Sequence, residues 1–419
     1  MIQGISILLI FLGNLIMARW AGAYSYGKYV HVFNWISILS MVALWGQEDV
    51  AIAEIPKYTI DGYPGRIYSF IRSSNSNIIL SSFFVTALFL AIIYRFPLKT
   101  LHENRHEFLL AAAGIYLTTF LTLNQNILQA LNYIRLSQLV EKCIKPFLLI
   151  VLFVGARWLS LTAGSGLLIV IAVVVMAVCC IVLGGILFQK IRRYRMGAGR
   201  GDRRENMRWR SFHFFSIDLL TLLSAKITML VLPYFSMQKE VGIYNIIYRF
   251  ADLVIYPFFL MSAVIPQLFA RHYASEVARK QSLYSQSTKL MMVFSLPLLL
   301  INILAGRMFL GWFGRDFPEG YSGLIYLSLA QFLFSFFGPA HYILTMQGKE
   351  KYAVFALVIY AVVLFFANIW LVPVLGIKGG AIGVLIGSLF YNGALAAMAY
   401  RLCGVASPFI LFVTRPFRK

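Results

Sequence analysis

The chain reads as an all-α polytopic membrane protein of about twelve transmembrane helices, set as two pseudo-twofold-related six-helix bundles around a central cavity. Three observations predict this. First, 60% of the 419 residues are hydrophobic and 13% charged, against about 45–50% and about 25% in soluble domains, so the charges are too few to cover a water-soluble surface. Second, residues 29–47, 73–94, 108–134, 158–189, 320–348, 352–377 and 379–400 contain no Asp, Glu, Lys or Arg. Each is long enough to cross about 30 Å of hydrocarbon as a helix rising about 1.5 Å per residue. Third, short patterns recur at a spacing equal to half of the helices.

The apolar segments place spans at roughly 2–18, 28–47, 76–95, 108–131, 144–162, 165–188, 211–235, 242–266, 290–310, 321–346, 352–373 and 379–400. Arg157 and Trp158 mark an interfacial end to the fifth. The seventh and eighth are weaker in hydropathy because they carry charges. Segment 403–414 is apolar but too short to span, and reads as an interfacial helix. The chain enters apolar sequence at once, without the basic n-region or small-residue site of a cleavable signal peptide.

Basic residues give the orientation. The loops after the even-numbered spans, with the C-terminal tail, hold 25 of the 37 lysines and arginines; the other side holds 10, and Lys226 and Arg249 lie inside spans. By the positive-inside rule both termini are cytoplasmic, in a multi-pass protein of the inner (plasma) membrane. The same distribution explains the net charge of +21 without a nucleic-acid partner. The basic run from Lys190 to Arg210 divides the spans six and six and reads as a solvated linker. The organisation is therefore an N-terminal bundle at 1–189, a linker at 190–210, a C-terminal bundle at 211–400 and a cytoplasmic or interfacial tail at 401–419.

Tyr26-Gly27-Lys28-Tyr29, entering the second span, is similar to Val241-Gly242-Ile243-Tyr244, entering the eighth, at an offset of 215. Ile127 to Arg135, ending the fourth, is similar to Ile343 to Lys351, ending the tenth, at 216. Six spans is an even number, so the halves share one orientation, which is a transporter architecture. Pro233, Pro257, Pro266, Pro297 and Pro339 lie within or near spans of the second half and predict kinks. Gly376, Gly379, Gly380, Gly383 and Gly387 predict close helix packing.

Ionisable groups inside spans are the candidate functional residues. One near the bilayer centre costs about 2.5–3.5 kcal/mol even on insertion scales, so it faces a partner or a cavity. Lys226 and Asp218 lie in the seventh span, too far apart to pair; Arg249 and Asp252 in the eighth are three apart and can pair. Lys226 needs a partner elsewhere or water, and suits a cation meeting an anionic substrate. Arg19 sits just outside the first span, where snorkelling is its ordinary role. Asn14, Asn124, Gln125, Asn126, Gln129, Gln331 and His341 add uncharged polar groups, with interhelical hydrogen bonding as their default role. His341 lacks a second metal ligand at useful spacing, the four cysteines show no C-x-x-C, and no G-x-S-x-G, H-E-x-x-H or phosphate-binding loop occurs. No cofactor, metal or catalytic residue is expected.

Ala18-Arg19-Trp-Ala-Gly22-Ala-Tyr-Ser-Tyr-Gly27-Lys-Tyr29 resembles the A-R-x-x-G-x-x-x-Y-G-x-Y signature of polysaccharide flippases (Wzx-type, O-antigen and related lipid-linked oligosaccharide exporters). Val241-Gly-Ile-Tyr244, Tyr248-Arg249, Pro266, Pro297, Phe313-Gly314, Gly338-Pro339, Gly348-Lys349 and Leu371-Val-Pro373 through Gly383 are similar, in order, to that family's second half. The resemblance covers residues 1 to about 405. It implies membership of the multidrug/oligosaccharidyl-lipid/polysaccharide exporter superfamily and alternating access between two six-helix bundles. It also implies a polyprenyl-diphosphate-linked oligosaccharide substrate, contact with membrane lipid and with other glycan-assembly membrane proteins, and no enzyme activity. Lys226, Arg249 and Arg19 are then the cations available to the diphosphate, and Asp218 and Asp252 the candidates for coupling to a proton or sodium, or else for static salt bridges. Two features depart from the family: it often has aspartate where Lys226 stands, and the stretch before the first span is short, as from a late start or missing residues. Rival readings are a membrane glycan polymerase or ligase, which needs a large extracytoplasmic loop, a cation-coupled drug exporter, and the longer peptidoglycan-precursor flippase with fourteen spans.

Overall fold

The computed structural model describes residues 2–95, 104–162, 164–194, 207–235, 237–261, 265 and 277–407. The expectations for Pro266, for the linker at 195–206 and for the tail at 408–419 fall outside these residues. Apart from short 3-10 and π turns, the elements are α-helices: α1 (Ile2–Leu44), α2 (Gln47–Ile60), α3 (Pro64–Arg95), α4 (Arg105–Ala130), α5 (Ile134–Leu139), α6 (Lys145–Trp158), α7 (Ser165–Ile191), α8 (Met207–Tyr234), α9 (Gln238–Met261), α10 (Val277–Phe313), α11 (Tyr321–Phe337), α12 (Ala340–Met346) and α13 (Glu350–Cys403).

Nine helices among the described residues are long and apolar enough to cross a membrane. Two of these are each a pair of helices joined at a glycine outside helical geometry, Gly22 (φ 74°, ψ 166°) in α1 and Gly376 (φ 55°, ψ −131°) in α13. The passage from Ile134 to Trp158 runs through a π turn at Val140–Ile144. Dividing the two pairs and counting that passage once gives the twelve spans expected.

The helices overrun the apolar segments. α3 starts at Pro64 rather than 76 and α10 at Val277 rather than 290. The extensions carry Arg66, Arg72, Arg279 and Lys280; hydropathy registers the hydrocarbon thickness, whereas backbone hydrogen bonding continues into the headgroups and water. The fifth span, expected at 144–162, instead occupies 134–158 for the same reason. Cys403 ends α13 at Gly404 (φ 71°). Residues 404–407 are not the helix expected there: the Gln281 side chain holds Ala406 by accepting from its N–H at 2.7 Å and donating to its carbonyl at 2.8 Å.

The chain divides into two compact units, Met1–Leu222 and Leu223–Lys419. The boundary lies inside α8 rather than in the basic linker, because the start of α8 packs on the break between α1 and α2. There Trp45 stacks on Phe215 at 4.7 Å between ring centroids, and the Ser211 hydroxyl donates to the Trp45 carbonyl.

In the first unit α4 holds the bundle together. Phe108, Ala111 and Ile115 pack with Val32, Ile36, Phe89, Ile93 and Ile169. At one end of α4, Glu107 accepts from Lys28 at 3.2 Å and from Ser165 at 3.0 Å. Further along, Asn124 and Asn75 exchange side-chain hydrogen bonds at 3.0 and 3.2 Å, which is the interhelical role expected of Asn124. Each of Asn75→Ala and Asn124→Ala should lower stability, with a coupling of about 0.6 kcal/mol. A double-mutant cycle of unfolding in mixed detergent measures it, and a zero coupling would show the pair to be idle.

In the second unit the glycine run works by proximity. A Cβ on Gly379 would stand 2.1 Å from the Leu371 carbonyl oxygen, and one on Gly380 would stand 2.3 Å from Thr228 Cγ2. The break at Gly376 is closed by Glu240, whose Oε2 accepts from Ile377 N–H at 3.0 Å and so satisfies a donor orphaned at a helix start. Pro233, Pro257 and Pro297 lie inside helices, and Gly338 (φ 81°) with Pro339 separates α11 from α12.

The backbone repeats what the sequence patterns repeat. Asn132 (φ 66°) ends α4, with Asn132 N–H donating to Gln129 and Tyr133 N–H to Leu128. Gly348 (φ 68°) ends α12 with the same two bonds, to Thr345 and Leu344, each partner 216 positions on. Ser160 and Gly376, both at φ 55°, are likewise 216 apart. Asn132 and Gly348 are helix stops of one design, whereas Gly376, at ψ −131°, lies outside the left-handed helical region.

Candidate functional site

In α9 most positions from Val241 to Phe258 are buried, yet Asn245, Arg249, Asp252 and Tyr256 recur at three- and four-residue spacing and share one face. Arg249 is the exposed residue at its middle. Its Nε donates to Asn245 Oδ1 at 3.1 Å, and the Asn245 amide nitrogen is in turn directed to Met229 Sδ on α8 at 3.8 Å. Asp252 is turned the other way, and its Oδ1 accepts from Gln331 Nε2 of α11 at 2.9 Å. The Arg249–Asp252 pair that the spacing permits therefore does not form: each group has a nearer uncharged partner.

Lys226 enters this group from α8. Both Arg249 and Asp252 lie close enough to act on its charge. The ammonium is half-buried and makes no ion pair or hydrogen bond among the described residues. Tyr248 lies beside Gln331 and Tyr360, with its ring 6.3 Å from that of Tyr244. The Tyr244 hydroxyl is buried without a hydrogen-bond partner. The site is a cation pair and one carboxylate set among tyrosines. The sequence marks its charges and Gln331 as candidates, while Tyr244 and Tyr248 stand there only as parts of motifs; their convergence with Tyr360 is visible only in the fold.

The other two residues singled out lie in the first unit. Asp218 is eight residues before Lys226 on α8, and its carboxyl group faces that of Asp49 on α2. Glu48 beside them is buried, with Oε2 unpartnered. The salt bridges expected for Asp218 and Asp252 are thus absent among the described residues: Asp218 meets another carboxyl and Asp252 an amide. Arg19 is exposed on α1, three residues before the Gly22 break. Of the five residues, Lys226, Arg249 and Asp252 come together.

The profile of a family described as polysaccharide biosynthesis protein matches residues 1–272. The chain belongs to this family. No curated protein matches it in sequence. Among solved structures, this member of the polysaccharide biosynthesis family is similar to an inward-facing multidrug-resistance MATE transporter of the MOP superfamily (TM-score 0.78, 16% identity, 95% of each chain covered). It is similar also to the lipid II flippase MurJ in an inward closed conformation (TM-score 0.69, 14% identity, 100% of this chain and 92% of that one). A third is a MOP superfamily transporter from Pyrococcus furiosus Vc1 (DSM3638), described as having a binding pocket of reverse polarity (TM-score 0.68, 16% identity, 96% and 94% covered). These likenesses carry the fold across the whole chain, including α10 to α13 beyond the matched residues. The family member is a multi-pass membrane protein of MOP transporter fold.

Proposed function

We propose that the protein is a flippase for a polyprenyl-diphosphate-linked oligosaccharide, an O-antigen or capsule/exopolysaccharide repeat unit, which it moves from the cytoplasmic to the outer leaflet of the inner membrane by alternating access. The observation that carries this reading is Lys226, an ammonium half-buried in a spanning helix with no ion pair among the described residues and Arg249 beside it. A cation left unpaired in a span is costly unless an anion or water meets it, and a diphosphate is such an anion. Lysine serves as a point charge and arginine as a two-pronged donor. The glycan needs an escort because each unpaired hydroxyl costs several kcal/mol in hydrocarbon. Translocation breaks no covalent bond, so no catalytic constellation is needed.

The fold neighbour named as a lipid II flippase supports a lipid-linked substrate. Asp218 and Asp252 are the candidates for coupling to a proton or sodium, and the 25 to 10 bias of basic residues supports cytoplasmic termini. Deleting the gene should accumulate lipid-linked glycan on the cytoplasmic leaflet, measured by periodate accessibility in sealed vesicles of opposite orientation. Glycan reaching the outer leaflet at an undiminished rate would end the proposal.

A further inference from the structure

The first unit contains a pocket of about 700 Å³ where α1 breaks into α2 against α3, within the range of about 300–1,000 Å³ typical of small-molecule sites. Of its twelve lining residues, six carry hydroxyl or amide groups, three are aromatic and none is charged. Trp45 and Gly46 at the break both take positive φ, 52° and 69°, the former uncommon for a bulky side chain. Carbonyls near the break are satisfied from the pocket wall: Ser81 donates to Ala43 at 2.6 Å, and Ser211 to Trp45.

Other polar groups of the wall are left without partners. Ser74 and Asn77 make no hydrogen bond with the described protein, and Gln47 Oε1 is buried without a partner. Asn77 stands one residue inside the apolar segment 76–95 of α3, at the edge of the hydrocarbon. Trp45 and Phe84 are 44% and 61% exposed, so ring surface stands beside the free amide and hydroxyl groups.

The geometry points to a sugar-binding pocket at this break, separate from the Lys226 group, that holds a neutral pyranose of the lipid-linked glycan. A sugar ring presents a C–H face to an aromatic ring and hydroxyls to amides, the two chemistries present. A phosphate requires cations or charge-assisted donors, and among the described residues the pocket is lined by none, which favours a neutral ring over a diphosphate or a phospholipid headgroup. The inference rests on the glycan substrate proposed above.

The test is photo-crosslinking in intact cells. Phe84→p-benzoylphenylalanine, irradiated in the full-length protein, should yield an adduct whose mass carries glycan and is trimmed by mild acid at the diphosphate. The same probe at Phe188, which is 72% exposed on α7, should capture phospholipid alone. Adding Asn77→Leu or Gln47→Leu should lower the glycan adduct at least fivefold with protein abundance unchanged, since both changes make a span more apolar. Phospholipid as the sole adduct at Phe84, no adduct at all, or a glycan yield indifferent to both leucine substitutions would each overturn the pocket. If the deletion strain accumulates cytoplasmic-leaflet glycan while Phe84 captures none, the pocket fails and the flippase reading stands. A glycan adduct at Phe84 in a protein whose deletion leaves export intact would have the opposite meaning.

Discussion

Gly379→Ala is expected to leave little correctly folded protein in the membrane. The added Cβ would stand 2.1 Å from the Leu371 carbonyl oxygen, 2.5 Å from its carbon and 3.0 Å from Val372 N. All three are backbone atoms of the preceding span, so no side chain can swing aside and the helices on either side of Gly376 must separate. Overpacking typically costs about 1–3 kcal/mol, occasionally more, and a backbone clash belongs at or above the upper end. Gly393→Ala, with nothing within 4 Å of its Cβ in the same helix, is the control and should be neutral or slightly stabilising. The fraction of monodisperse protein after detergent extraction checks both. Equal yields for the two variants would show that the approach of the eleventh and twelfth spans is looser than described.

Lys226→Ala should have the opposite profile, with transport lost and folding kept. Removing an unpaired charge from a span relieves an insertion cost of about 2.5–3.5 kcal/mol, so abundance and thermal stability should hold or rise. If the ammonium meets a phosphate oxygen, its loss forfeits a charge-assisted bond of about 1.5–3 kcal/mol, or roughly tenfold or more in glycan flux. Lys226→Arg should recover part of that flux, because the charge returns with a different donor geometry. Surface glycan per molecule of protein is the measurement. Unchanged flux in Lys226→Ala would remove this lysine from the substrate path, and a parallel fall in protein abundance would make its role structural.

The candidate site was half legible in the sequence. Charges in spans stand out because hydrocarbon makes them rare, which is why Lys226, Arg249 and Asp252 were found. Their partners were not: Arg249 and Asp252 are correctly spaced to pair, yet a methionine on α8 turns Asn245 toward Arg249, and Gln331 from α11 captures Asp252. Asp218 likewise meets Asp49 across 169 positions of sequence, and no local pattern encodes that encounter. The polar start of α3, from Ser73 to Asn77, straddles the hydropathy boundary at 76 and carries no charge, so nothing in the sequence marks it as a site.

Composition and periodicity alone determined that the chain crosses a membrane twelve times, that its halves repeat, and where its glycines would allow close contact. Those conclusions follow from the transfer cost of polar groups and from a rise per residue that is the same in every helix. The tertiary structure alone decided which polar groups meet, and that the first unit extends into α8 where Trp45 stacks on Phe215. Such choices depend on distances between residues far apart in the chain, and packing sets those distances only after every helix has formed.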